Sequence, residues 1–211
     1  MVTLKLHNYW RSSASHRVRI ALGLKGLAYE YVVVNILKSE QHASGYTTKN
    51  PMGQVPTLEL EDGRMLSQSL PIMEYLDEAY AEPPILPLDP YLRAKCRALA
   101  EIVNSGIQPL QNLTTTNQVT AFGGDAGVWP RKFITDGVAA FERAIGDGPF
   151  CCGDFATIAD CCLIPQLASA RRFGVDITTY PRLLAIEERC LAMPAFANAA
   201  PDRQPDAVRT K

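Results

Sequence analysis

No stretch of this 211-residue chain approaches the roughly 20 consecutive apolar residues that a bilayer-crossing helix needs. The start (Met1, Val2, Thr3, Leu4, Lys5) also lacks a basic segment leading into an apolar run and a small-residue cleavage site, so a cytoplasmic protein is expected and export is not. Histidine is scarce, with three residues far apart, and the six cysteines include no Cys-x-x-Cys pair: Cys151 and Cys152 are adjacent, as are Cys161 and Cys162, while Cys96 and Cys190 stand alone. Zinc sites and dithiol redox sites use that spacing to bring two sulfurs to one point; neither is expected, and the cysteines read as small buried hydrophobes in a reducing compartment. An excess of positive charge is missing too. The net charge of -1 excludes the broad basic field of a nucleic-acid binder and any general attraction to a membrane. An anionic ligand would have to be held by a few local groups.

What is present is ordinary globular material, 47% hydrophobic and 20% charged, enough for one large core or two modest ones. The first 80 residues switch between two periods. Thr3 to Asn8 alternates as a strand, and Val18, Ala21, Leu22 and Leu24 follow helical spacing, with Gly26 where a helix C-terminal glycine belongs. Tyr29 to Val34 is rich in β-branched and aromatic residues, the composition of a buried strand. A turn-rich break at Asn50 to Val55 leads to a strand at Thr57 to Leu60, a hairpin turn at Asp62-Gly63, a short strand through Met65 and Leu66, and a helix from about Ser69. The order βαβ, link, ββα predicts a thioredoxin-like α/β domain over 1–82. Residues 81–90 hold four prolines, which marks 83–90 as a linker. Over 91–211 only helices are expected: Leu92 to Val119, interrupted at Pro109, then Phe133 to Ile145, Ile158 to Phe173 and Leu183 to Leu191, with a capping box at Thr157 to Asp160.

Three breaks in the first domain have chemical potential. Arg11-Ser12-Ser13-Ala14-Ser15 joins the first strand to the first helix, so its hydroxyls cap that helix or, with the free N–H groups there, face an anion. A thioredoxin-like fold normally presents a sulfur at this position. No cysteine stands here, so the sulfur would come from a bound thiol. A cis bond before Pro56 would turn the Val55 backbone outward to pair with an extended peptide. Gln68-Ser69 opens the next helix, with Ser69 as its expected N-cap, and a ligand carboxylate could replace water there. Taken together the three suit a peptide with a thiol in its middle and a carboxylate at one end, a description that glutathione meets.

Ser12-Ser13-Ala14-Ser15-His16-Arg17-Val18-Arg19-Ile20-Ala21-Leu22 resembles the opening signature of zeta-class glutathione transferases. Asn50-Pro51-Met52, Gln54 to Leu58, Gln68-Ser69-Leu70, Gly106 to Leu113, Gly153-Asp154, Pro165-Gln166, Arg172 to Asp176 and Arg203 to Asp206 resemble later segments of that family in the same order. The resemblance implies the glutathione transferase architecture, a homodimer, and glutathione as cofactor. It also implies that Ser12 and Ser13 face the thiol, that Val55 beside a cis Pro56 pairs with the cysteinyl backbone, that Gln68 and Ser69 hold the γ-glutamyl end, and that Gln108 and Asn112 complete the site. Gln41, or else His42, would reach the glycyl end. The family usually carries cysteine where this chain has Ala14 and tryptophan where it has His16, which disfavours chemistry needing a protein thiol and favours cis–trans isomerisation. The implied substrate is a small dicarboxylate such as maleylacetoacetate, gripped by Arg11 and by Arg172 or its neighbour Arg171. The rivals are maleylpyruvate as substrate, a general detoxifying transferase, and a non-enzymatic interaction module.

Overall fold

The computed structural model describes residues 3–208. They form two compact units: one gathers the chain up to Ile85 together with the residues from Met193 onward, and the other is Leu86–Ala192.

The first unit is built on β1 (Leu4–Asn8), α1 (Ser13–Leu24), β2 (Tyr29–Val33), two single 3-10 turns at Ile36–Lys38 and Glu40–His42, α2 (Ser44–Thr47), β3 (Thr57–Glu59), β4 (Met65–Ser67) and α3 (Ser69–Ala79). The sheet runs β2-β1-β3-β4, with β1 parallel to β2 and antiparallel to β3, and β3 antiparallel to β4. β1 is central, and Leu4, Leu6, His7 and Asn8 are all buried. β2 corrects the expectation of a buried strand. It is an edge strand whose residues are half-buried or exposed, because its apolar run has a neighbour on one side only. α1 ends as its sequence implies: Gly26 adopts φ +65, and the Leu27 N–H returns to the Leu22 carbonyl at 2.9 Å.

The second unit consists of α4 (Pro90–Asn104), α5 (Gln108–Gln111), α6 (Leu113–Ala121), α7 (Val128–Ala144), α8 (Ile158–Arg172) and α9 (Pro181–Leu191). Its described residues contain one isolated bridge, Phe150 with Gly153, and no strand. Cys96, Leu99, Ala100 and Val103 line the buried face of α4 at helical spacing. Pro109 divides the predicted long helix by standing in the first turn of α5. α8 is buried almost all round and therefore needs its polar groups paired. The capping box supplies this: Asp160 accepts from the Thr157 N–H at 2.7 Å, and its other oxygen accepts from the Cys151 N–H at 3.0 Å. Asp160→Ala should lower stability by about 3 kcal/mol in urea unfolding, because two buried amides lose their acceptor. Five of the six cysteines are buried, and Cys152 is half-buried.

α10 (Pro194–Ala199) and a 3-10 turn at Pro201–Arg203 follow. They correct the expectation that everything after residue 90 joins the helical domain, since α10 packs on α1 in the first unit. Gly23 permits this. A Cβ there would stand 3.1 Å from the Ala195 Cα, so the two backbones meet where neither residue carries a bulky side chain. Phe196 is fully buried beside them.

Candidate active site

Strand register gathers the three chemically promising breaks. His7 of β1 lies opposite Thr57 of β3, and Thr57 opposite Ser67 of β4. The turn after β1, the Val55-Pro56 approach to β3, and Gln68-Ser69 after β4 therefore lie at the same end of the sheet's strands.

At that end Ser12 is the N-cap of α1, its Oγ accepting from the Ser15 N–H at 3.2 Å. This leaves the Ser12 hydroxyl hydrogen to donate elsewhere. Ser13 begins the helix with a half-buried hydroxyl, and Ala14 follows. The N–H groups of Ser13 and Ala14 belong to the first turn and have no acceptor within the helix. Arg11 is exposed, its guanidinium 5.7 Å from the Trp10 ring centre. One turn into the helix, His16 is buried and its Nε2 lacks a partner. Burial, and after it the Arg19 charge, hold its pKa down to about 3.

The second segment is held from beneath. The Val55-Pro56 bond is cis. The Gln54 carbonyl accepts from the Tyr46 hydroxyl at 2.6 Å and from the Asn50 side chain at 2.7 Å, and Tyr46 also bonds Thr57 Oγ1 at 2.9 Å. With its neighbour so fixed, Val55 carries a backbone N–H and C=O that no other described residue engages. Gly53 (φ +59) is pressed against the Gln41-His42 turn, where a Cβ would come within 2.8 Å of His42 Nδ1 and 3.1 Å of the Gln41 carbonyl. Gln41 and His42 are thus brought beside the Val55 segment. The buried Gln41 Oε1 has no partner, and His42 is exposed.

At the third break the capping expectation is corrected. Gln68 is the N-cap and uses no side-chain cap, while Ser69 is the first helical residue. The Ser69 hydroxyl is taken by Arg17, whose Nη1 donates to it at 3.1 Å, so it does not cap. Gln68 is exposed with φ 71 and ψ 125, a region costly for a residue with a Cβ. Such strain persists where the surroundings impose it, and here it turns the Gln68 side chain and the first N–H groups of α3 outward. Pro71 has no N–H, so Ser69 and Leu70 supply the free amides of this helix end.

In the helical unit, Gln108 opens α5 and Asn112 is the N-cap of α6 without a side-chain cap bond. Reciprocal amide bonds between buried Gln111 and Gln166, 3.1 and 3.0 Å, join α5 to α8. Arg171 and Arg172 end α8 and are both exposed. Arg171 makes a two-point ion pair with Glu187 at 2.5 Å, which raises its pKa. Arg172 is exposed, its guanidinium 5.1 Å from the Phe173 ring centre.

Tyr46, Asn50, Arg17 and Arg19 shape the site and were given no role by sequence reasoning. The available signal was a pair of arginines within the apolar run of α1, since buried arginines are rare unless bonded. Tyr46 offered none, because α2 is four residues long and shows no period.

The donor set fits a small thiol peptide: hydroxyls and a helix end for a sulfur, an open backbone edge for an amide, and a second helix end for a carboxylate. The family model of the glutathione S-transferase N-terminal domain matches residues 11–79. The maleylacetoacetate isomerase of Mus musculus is 46% identical over 206 residues, covering 95% of this chain and 94% of its own. Two solved structures are similar throughout. A holo maleyl pyruvate isomerase, described as a bacterial zeta-class glutathione S-transferase, has a TM-score of 0.92 at 42% identity, covering 97% of this chain and 100% of its own. Maleylacetoacetate isomerase from Anaeromyxobacter dehalogenans 2CP-1, with bound dicarboxyethyl glutathione and citrate, has a TM-score of 0.89 at 49% identity, covering 99% of this chain and 97% of its own. With likeness of this extent in both sequence and structure, the chain belongs to the zeta class of glutathione transferases.

Proposed function

We propose that the chain is a glutathione-dependent cis–trans isomerase that converts maleylacetoacetate to fumarylacetoacetate, a step in aromatic amino acid breakdown. The observation that carries this reading is the start of α1, which offers two hydroxyls and free amides but no protein sulfur, Ala14 standing among them. Glutathione supplies, when bound, a thiolate that adds to the conjugated double bond and departs after rotation about the resulting single bond. Ser12 and Ser13 donate to that sulfur and favour its ionised form. Val55 pairs through its backbone with the peptide, and the amides of Ser69 and Leu70, with Gln68, hold the γ-glutamyl carboxylate. Gln41 or His42 takes the glycyl end.

The family resemblance assigns Gln108 and Asn112 to glutathione, and Arg11 and Arg172 to the substrate carboxylates. The resemblance runs through Arg172-Phe173-Gly174-Val175-Asp176, which is what supports the choice of Arg172 over its neighbour. Arg172→Met should cut kcat/KM for the dicarboxylate about ten- to a hundredfold, equivalent to about 1.5–3 kcal/mol; unchanged kinetics would remove Arg172 from the site.

Maleylpyruvate is the second substrate reading, favoured by the close superposition with the maleyl pyruvate isomerase structure. Following the absorbance of both substrates, with and without glutathione, separates them. Turnover at full rate without the tripeptide would refute both. A cytoplasmic homodimer completes the proposal, supported by the six free cysteines for the compartment and by the family resemblance for the pairing. Light scattering tests the dimer.

A further inference from the structure

Asp206 stands almost two hundred residues along the chain from the serines, yet it closes on their turn. Its Oδ2 accepts from the Trp10 N–H at 3.1 Å, and its Oδ1 from the Tyr31 hydroxyl at 2.6 Å. Trp10 lies two residues before Ser12. Two carbonyls of this turn and the side chain of Asn8 are held by one buried guanidinium: Arg19 donates to the Trp10 carbonyl at 3.0 Å, to the Tyr9 carbonyl at 3.4 Å and to Asn8 Oδ1 at 3.0 Å. The same arginine reaches the Ala199 carbonyl at 3.1 Å. The segment that brings Asp206 is itself tied, since the Gln204 amide donates to the carbonyls of Asn198 and Ala200 at 2.9 and 2.8 Å.

We propose that Asp206 is a positioning residue for the isomerisation. By holding the Trp10 peptide it sets where the Ser12 and Ser13 hydroxyls and the first amides of α1 stand against the glutathione sulfur; this rests on the serine assignment above. A carboxylate bonded to a backbone amide makes a stronger, shorter-range restraint than a neutral acceptor, and both the N–H and the C=O of Trp10 are bonded to charged groups. Tyr31 orients the carboxylate from β2. The segment after α10 is therefore part of the apparatus that positions the serines.

The test compares the full-length protein with Asp206→Ala, Asp206→Asn and Tyr31→Phe. Three quantities are read: hydrogen exchange at the Trp10 amide without ligand, the pKa of the bound glutathione thiol from its ultraviolet thiolate absorbance, and kcat and KM separately. Asp206→Ala should speed Trp10 exchange by about tenfold or more, raise the thiol pKa and lower kcat by about ten- to a hundredfold, as a small misplacement of catalytic groups does. The KM for glutathione should change by less than about threefold, because the Val55 and Ser69 contacts remain. Asp206→Asn keeps one acceptor oxygen and should recover part of each loss, and Tyr31→Phe should shift all three less than Asp206→Ala.

If Asp206→Ala does not fold, Asp206→Asn decides: faster Trp10 exchange with a raised thiol pKa supports the proposal, and wild-type values overturn it. A lower melting temperature with unchanged thiol pKa and kcat also overturns it, leaving Asp206 a staple for the tail. Failure of the serine assignment is distinguishable, since Ser12→Ala with Ser13→Ala would then leave the thiol pKa unmoved.

Discussion

The double variant Ser12→Ala/Ser13→Ala is expected to raise the pKa of bound glutathione by about 1.5 units and to lower kcat/KM at neutral pH about tenfold. A free thiol ionises near 8.5 and is only a few per cent thiolate at pH 7. Lowering its pKa by about two units takes about 2.7 kcal/mol of preferential stabilisation. A hydrogen bond to a charged acceptor provides about 1.5–3 kcal/mol, and a helix end adds about 0.3–1 kcal/mol. One hydroxyl with the start of α1 therefore suffices, and removing both leaves only the helix end. The single variants locate the donor. Ser12→Ala also removes the cap on Ser15 and should cost about 1 kcal/mol of stability, whereas Ser13→Ala removes no protein hydrogen bond among the described residues. Whichever variant shifts the alkaline rise of activity identifies the hydroxyl on the sulfur. A double variant with an unshifted profile would remove both serines from the chemistry.

His16→Phe is expected to make the protein markedly more resistant to acid. The buried imidazole is held to a pKa of about 3 by desolvation first and Arg19 second, whereas the unfolded chain takes up its proton near 6.5. Between those values the unfolded state binds more protons than the folded one, so stability is lost as pH falls, at about 1.4 kcal/mol per pH unit. Above about 6.5 the contribution is complete and constant. Phenylalanine has nothing to protonate and gives up no bond at Nε2, which has no partner. Urea unfolding at pH 7 and pH 4.5 should show the wild type losing about 2.5 kcal/mol more than the variant over that interval. Equal losses would mean that His16 is hydrated or protonated in the fold.

The order of strands and helices in the first unit was legible because β1, α1 and α3 each express one period over enough residues to be read. Gly26 marked the end of α1 for the same local reason. What escaped depends on partners distant in sequence. Tyr29 to Val33 has the composition of an interior strand, and only the sheet order makes it an edge. Pro194 to Ala199 is a short helix with nothing to state which core receives it; that is decided by the absence of side-chain bulk at Gly23 and Ala195. Ser69 followed the statistics of a cap, but Arg17 claimed its hydroxyl and the chain entered α3 through a strained Gln68 instead. The three segments of the site were visible as breaks in periodicity, yet their convergence follows from the register of His7, Thr57 and Ser67.

Because the first unit is discontinuous, synthesis completes it in an order its numbering hides. Leu86–Ala192 is uninterrupted, so all the residues of its core are available before residues 193 onward are added. The turn bearing the serines must wait for the final stretch to emerge before Arg19 and Asp206 can lock it. A chain clipped short of Pro194 would keep every residue of the helical unit yet lose the bonds that Ala199 and Asp206 make with Arg19 and Trp10, beside the turn bearing the serines.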